Sequence, residues 1–190
     1  MDYQIIRNEQ HKTSLWEGGS TTELFIHPQT ADYKQLNFDF RISTAKIELE
    51  KSNFTSLPNI SRKLIILDGE ILIKHTNKYN KVLKKFNSDN FEGDWETTSE
   101  GTCTDFNLMI RGKTKGDIEA FSIKKSTEYL LNQNISFLFV YCFIGNLEIN
   151  LNQKTEYLHK GDLLIINHPS VQKINFITNA LLELAVVTIL

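Results

Sequence analysis

At 190 residues the chain is long enough for one generous domain or two small ones sharing a core, and its ordinary apolar and aromatic content, with twelve phenylalanines, excludes a disordered protein. A formal net charge of −2 and the lack of any long basic run remove the electrostatic footprint that nucleic acid or an anionic membrane requires. Lys84-Lys85 and Lys124-Lys125 are short pairs that read as solvated strand ends or turns. The segment Met1-Asp2-Tyr3-Gln4 offers neither a basic leader nor an apolar core, and the longest apolar run, 135–144, is far too short to cross a bilayer, so a cytoplasmic location is expected. Cys103 and Cys142 stand in strand-like settings and fit free thiols of a reducing compartment.

Helical periodicity is scarce along the whole chain. Tyr3-Gln4-Ile5-Ile6-Arg7 is a short strand candidate, and Trp16-Glu17-Gly18-Gly19-Ser20 reads as a loop feeding a strand over 21–27, which Pro28 ends. In the strand predicted over 38–49, Phe38, Phe40 and Ile42 share one face while Arg41, Ser43 and Ala45 share the other. A turn-rich connector runs from Phe54 to Arg62, and the apolar strand 64–67 meets Asp68-Gly69, a hairpin signal. At 104–111, strand alternation puts Asp105, Asn107 and Met109 on one face and Phe106, Leu108 and Ile110 on the other. Asp and Asn are depleted in strands and costly to bury alone, so this polar face either lines a cavity or faces water. The segment 126–132 fits a helical turn or a strand, and 181–190 reads as a strand buried on both faces that closes a sheet.

The chain also repeats itself. Leu64 to Ile73 gives strand, glycine turn at Gly69, strand, followed by Gly93-Asp94; Phe137 to Ile149 gives the same with Gly145, followed by Gly161-Asp162. Two such β-units with short strands and Gly or Asn turns point to barrels or sandwiches rather than βαβ units.

The glycine-turn plus Gly-Asp pattern resembles the cupin barrel, and two copies resemble a bicupin. More specifically, the chain resembles the HutD/Ves family. Trp16 with Gly18-Gly19 and Thr21-Thr22-Glu23-Leu24 is similar to that family's Trp, Gly-Gly, Thr-x-Glu motif, and Phe38-x-Phe40-Arg41-x-Ser43-x-Ala45 to its Phe-x-Trp-Arg-x-Ser-x-Ala strand. Phe54-Thr55-x-Leu57-Pro58-x-x-Ser61-Arg62 is similar to its Phe-Ser-x-Phe-Pro-Gly-x-x-Arg connector, and Asp105-Phe106-Asn107-x-Met109-x-Arg111 to its Asp-Phe-Asn-x-Met-x-Arg strand. Here Phe40 replaces the family's Trp, Asn59 its turn glycine, and the Asn of its longer Trp-x-Asn-Gly-Gly segment is missing. The resemblance implies an all-β bicupin, two cupin-like (RmlC-like jelly-roll) β-barrels packed together, divided as 1–112 and 113–190 with strands free to swap between halves. It also implies an association with histidine utilisation.

For chemistry, Gly69 and Gly145 are followed by no His-x-His, and His11, His27, His75, His159 and His168 are scattered, so no metal or other cofactor is expected and each histidine reads as a turn or surface residue. Ser43 lacks a nearby histidine and acid, Cys103 lacks an activating partner, and Gly18-Gly19 is too short to cradle phosphate. What survives is a polar set: Thr21 and Glu23, Arg41 and Ser43, Arg62, and Asp105 with Asn107. If these converge in the first barrel, one guanidinium neutralises Glu23 or Asp105 and the other is left to hold a carboxylate in a bidentate fork; the competing reading is an internal ion-pair network that only fixes the fold. The expectation is a protein that binds a small carboxylate metabolite, regulatory rather than catalytic. The alternatives are an enzyme on a small carboxylate, metal-free with Glu23 or Asp105 as general base or carrying a metal on unrecognised ligands, and an interaction module that forms a homodimer through barrel strands.

Overall fold

The computed structural model describes residues 2–131, 134–170 and 172–190. Among them the regular structure is all-β apart from two single 3-10 turns, Asn8–Gln10 and Tyr33–Gln35. The chain divides into two compact units, one of Lys12–Thr114 and one of Met1–His11 with Lys115–Leu190. In chain order β1 (Asp2–Ile6) is followed by β2 (Lys12–Trp16), β3 (Gly19–His27), β4 (Phe40–Ile47), β5 (Lys51–Asn53), β6 (Ile60–His75), β7 (Tyr79–Lys84), β8 (Ser88–Glu92), β9 (Thr97–Glu100) and β10 (Cys103–Arg111). Then come β11 (Gly116–Ile123), β12 (Thr127–Leu130), β13 (Phe137–Ile144), β14 (Leu147–Leu151), β15 (Lys154–Leu158), β16 (Leu163–Asn167), β17 (Lys173–Ile177) and β18 (Leu182–Ile189). Expected with the first barrel, β1 instead runs antiparallel to β16, with Gln4 opposite Ile165.

In the unit Lys12–Thr114 one sheet has the order β2-β3-β4-β10-β6-β9-β5, with β7 and β8 also pairing β6. The apolar residues of β6 explain its central place. Leu64, Ile66, Ile71 and Ile73 are essentially fully buried and pack with Leu83 and Phe91, each such side chain contributing about 1.5–3 kcal/mol when removed from water. The Asp68-Gly69 pair is not a hairpin turn. β6 runs unbroken through it, pairing β10 and β8 on one side of Gly69 and β7 and β9 on the other. Gly69 has φ +83°, and a Cβ there would lie 2.4 Å from the Thr102 carbonyl oxygen, so only glycine passes the crossing strand. Gly145, between β13 and β14, has φ +89° and the same close approach, 2.3 Å to the Leu181 carbonyl oxygen. The repeat seen in the sequence is thus a repeated bend of one long strand path.

The second unit holds the sheet β1-β16-β13-β18-β11 and the sheet β12-β17-β14-β15. Strand period two supplies its core: Leu138, Val140 and Cys142 from β13, Leu147, Ile149 and Leu151 from β14, and Leu182, Leu184 and Val186 from β18 join one buried cluster. Of the segment 126–132, Thr127–Leu130 is a strand and residue 132 lies outside the described residues. The C-terminal strand stops at Ile189, leaving Leu190 half exposed rather than within the buried pattern. Cys103 and Cys142 are buried free thiols. Among the described residues no helix is long and apolar enough to cross a membrane, which says nothing of a β-barrel.

Candidate functional site

Three rows of residues across β3, β4, β10 and β6 build the site. Register places Arg41 opposite Met109 and Met109 opposite Arg62. One step along, Glu23, Ser43 and Asn107 lie side by side, and next come Thr21, Ala45 and Asp105. Since these positions are two apart on each strand, all share one face. Because β4 and β6 flank β10, the two arginines start about 10 Å apart, twice the strand spacing. This face forms the wall of a cavity of about 670 Å³, and Thr21, Glu23, Arg41, Ser43, Arg62, Asp105 and Asn107 all line it. Asp105 and Asn107 therefore face a cavity rather than bulk water.

The two arginines are held differently. Arg41 donates from Nε to Glu23 Oε2 at 2.7 Å and from one terminal nitrogen to Ser43 Oγ at 3.2 Å, and the Tyr33 ring covers its guanidinium at 4.3 Å. Arg62, only 6% exposed, donates to the neutral Asn107 Oδ1 at 3.2 Å, and its Nε is buried without a hydrogen-bond partner among the described residues. The rings of Phe54 and Phe91 lie 4.9 and 5.1 Å from its Cζ, contacts that together offset part of the desolvation at about 1 kcal/mol each. Burial lowers the Arg62 guanidinium to about 10, against the opposing pull of Asp105, so it stays cationic at neutral pH. No described carboxylate comes within ion-pair distance of it.

Asn107 ties this arginine to the acid. Its amide nitrogen donates to Asp105 Oδ1 at 2.5 Å while its oxygen accepts from Arg62, which fixes the amide's orientation. Asp105 is 1% exposed. Burial pushes its carboxyl up to about 7, although Arg62, the Asn107 amide and the Ala45 backbone N–H all pull the other way. The Arg41 and Glu23 charges cancel, so the floor carries net positive charge whenever Asp105 is protonated.

Other elements complete the walls. β2, exposed throughout, adds Lys12, Ser14, Leu15 and Trp16, with the Trp16 indole N–H donating to Thr21 Oγ1 at 3.2 Å. The 3-10 turn adds Tyr33 and its neighbour Lys34. Sequence reading missed β2 as a wall and Tyr33 as a ring on Arg41, because an exposed hairpin strand and a loop aromatic leave no periodic signal; the aromatic position Phe54 was visible within its motif. The structure also corrects the reading of His75 as a turn or surface residue. It is buried on β6, with Nδ1 2.8 Å from Thr97 Oγ1 and Nε2 3.0 Å from Asp89 Oδ2, walled by Tyr79, Phe91 and Trp95. Its spacing from Ile71 and Ile73 was the available signal, since all three share the inward face. Among the described residues no group of three or more His, Cys, Asp or Glu side chains is placed to hold a metal ion.

The HutD family profile matches residues 8–182 of the chain. Among solved structures, a conserved protein of unknown function from Pseudomonas aeruginosa PAO1 superposes with TM-score 0.85 at 18% identity, covering 100% of this chain and 99% of that one. HutD from Pseudomonas fluorescens SBW25 superposes with TM-score 0.74 at 18% identity over 100% of both chains. Oxalate decarboxylase from Bacillus subtilis superposes with TM-score 0.66 at 5% identity, over 97% of this chain and 76% of that one. At such identities the likeness carries the fold, which is that of the cupins. No curated protein sequence matches the chain.

Proposed function

The chain belongs to the HutD family of cupin-fold proteins, and from that premise we propose that its unit Lys12–Thr114 binds a small carboxylate metabolite in a regulatory role in histidine utilisation. The observation that carries the binding reading is Arg62. A buried guanidinium normally has a carboxylate partner, whereas this one lines an open cavity with a neutral amide as its hydrogen-bond acceptor and one N–H unpaired. A ligand carboxylate supplies the missing partner in the fork geometry that guanidinium favours. Arg41 cannot be read the same way, because Glu23 already occupies its Nε. A cavity of about 670 Å³ accommodates a metabolite larger than the carboxylate alone, and the Tyr33 and Phe54 rings offer its remainder apolar contact.

The test is a thermal-shift and calorimetric screen of mono- and dicarboxylates, including histidine and its breakdown acids, on wild type and Arg62→Met. At least one acid raises the wild-type Tm, and the rise disappears in Arg62→Met while that variant still unfolds cooperatively. A wild-type protein indifferent to every acid removes the reading. Asp105 favours a second reading, an enzyme, since a buried carboxyl near neutrality is suited to general base catalysis. Deuterium incorporation from heavy water into a bound acid, lost in Asp105→Asn, distinguishes it from a binding protein.

A further inference from the structure

An anion drawn to Arg62 meets a second ionisable group on the same wall. Asp105 is as deeply buried as the hydrocarbon core and, among the described residues, has no Lys, Arg or His nitrogen within ion-pair distance. It is joined to Arg62 only through the Asn107 amide, which accepts from one and donates to the other. The charges around it leave little to compensate a second negative group. From β3 and β4, Glu23 and Arg41 face the cavity already paired with each other. From β6 come Arg62 and, just before the bend, Asp68, whose charge together with that of Asp105 acts on the Cys103 thiol of β10. Tyr33 presents a phenol, and the rim residues Lys12, Asp32 and Lys34 are exposed to solvent screening. Beside the paired Arg41 and Glu23, one buried cation without a carboxylate partner, Arg62, thus faces one buried carboxyl and any carboxylate that enters.

Two carboxylates sharing a desolvated site with a single free cation do not both stay ionised. We propose that the cavity takes up its anion together with one proton, which Asp105 carries. This rests on the carboxylate reading above and goes beyond it. The occupied site holds the Arg62 cation, the ligand carboxylate and a neutral Asp105 acid; the proton comes from solvent and forms an O–H bond on Asp105, leaving the ligand's own oxygens charged. Holding the empty site's carboxyl near neutrality keeps that proton within easy reach at physiological pH. The selected ligand is a carboxylate that accepts from an N–H cation and tolerates an acid beside it, and its binding is sensitive to pH. In the occupied site Asp105 is an acid and no longer a base.

Linkage gives the expected size. Where the empty site is deprotonated and the occupied site protonated, the dissociation constant rises as much as tenfold per pH unit, so the affinity falls across pH 7 to 9 and levels off below about 6. The experiment is calorimetric titration with acetate and succinate as probes, at pH 6, 7 and 8, in Tris and in triethanolamine, whose protonation heats differ. Wild type takes up close to one proton per probe bound at pH 8 and fewer at pH 6, and Asp105→Asn binds with flat pH dependence and no uptake. An infrared difference spectrum of wild type, independent of that variant's folding, shows a protonated-carboxyl band appearing on binding. Binding without proton uptake, or with the same uptake in Asp105→Asn, overturns the proton inference and leaves the carboxylate reading standing. No binding of either probe at pH 6, with none in the wider acid screen, overturns both.

Discussion

Replacing Asp105 by asparagine removes a carboxyl that the fold holds at an energetic cost, and the stability of the variant measures that cost. In the folded chain the group titrates at about 7 against an ordinary value of 3.8. The sign follows from proton counting: between those values the folded protein keeps a proton that the unfolded chain releases, so stability falls as pH rises through that interval and is level on either side. A gap of about three pKa units at about 1.4 kcal/mol each is on the order of 4 kcal/mol above pH 7. Asparagine recovers only part, about 1–3 kcal/mol, because its NH2 needs an acceptor where the carboxylate needed donors. Both tryptophans, Trp16 and Trp95, lie in the unit Lys12–Thr114, so fluorescence-monitored urea unfolding reports the right unit. Run at pH 4, 5, 6, 7 and 8, the difference between Asp105→Asn and wild type is small at pH 4, grows through pH 7 and then levels off in favour of the variant. A difference that does not change with pH, or a variant less stable than wild type at pH 8, refutes the reasoning.

Asp89→Ala leaves the buried His75 Nε2 without its carboxylate and leaves the Tyr79 hydroxyl only the Asn90 carbonyl as acceptor; a loss of about 2–3 kcal/mol in urea unfolding is expected, and a loss under 1 kcal/mol contradicts a buried network. Gly69→Ala and Gly112→Ala share a positive φ, but a Cβ meets the Thr102 carbonyl only at the first, so the first costs about 3 kcal/mol or more and the second about 1, measured side by side. At Asp162 burial pushes the carboxyl up, yet the His159 N–H, the Arg7 guanidinium and the Asn8 N–H together hold it below its ordinary value. Its stabilisation is therefore present above pH 4 and lost as pH falls through the lowered value. Asp162→Asn accordingly flattens the acid side of the stability profile of that unit, and an unchanged acid limb argues against the anchor.

What the sequence made legible was whatever obeys strand alternation. The shared face of Arg41 and Ser43, and that of Asp105 and Asn107, follow from period two alone, and the family motifs brought Glu23 and Arg62 to the same set. Alternation cannot say which strands neighbour one another, so it left open whether Glu23 or Asp105 would pair with an arginine; the register of β3 against β4 decides for Glu23, directly across from Ser43. It also misread Gly69 as a turn, because a glycine after a short apolar run looks the same whether the chain reverses or merely bends past a crossing strand. The placement of β1 is a long-range pairing, Asp2 with Asn167, for which short hydrophobic strands carry no label.

The two units make the case for a site by contrast. Both are built from strands bent at a positive-φ glycine, so the architecture itself does not demand polar inward positions. The second unit fills its interior with one apolar cluster drawn from β13, β14, β16 and β18. The first sets a guanidinium, an amide and a carboxyl on β6 and β10 in the corresponding kind of position. Replacing such groups by well-packed hydrocarbon is commonly neutral or stabilising, and the raised Asp105 and lowered Arg62 both show the desolvation they bear. An arrangement that weakens the fold where a neighbouring unit shows the apolar solution is the signature expected of a surface shaped for a ligand, and the ligand that relieves the most strain here is one that brings Arg62 its missing negative partner.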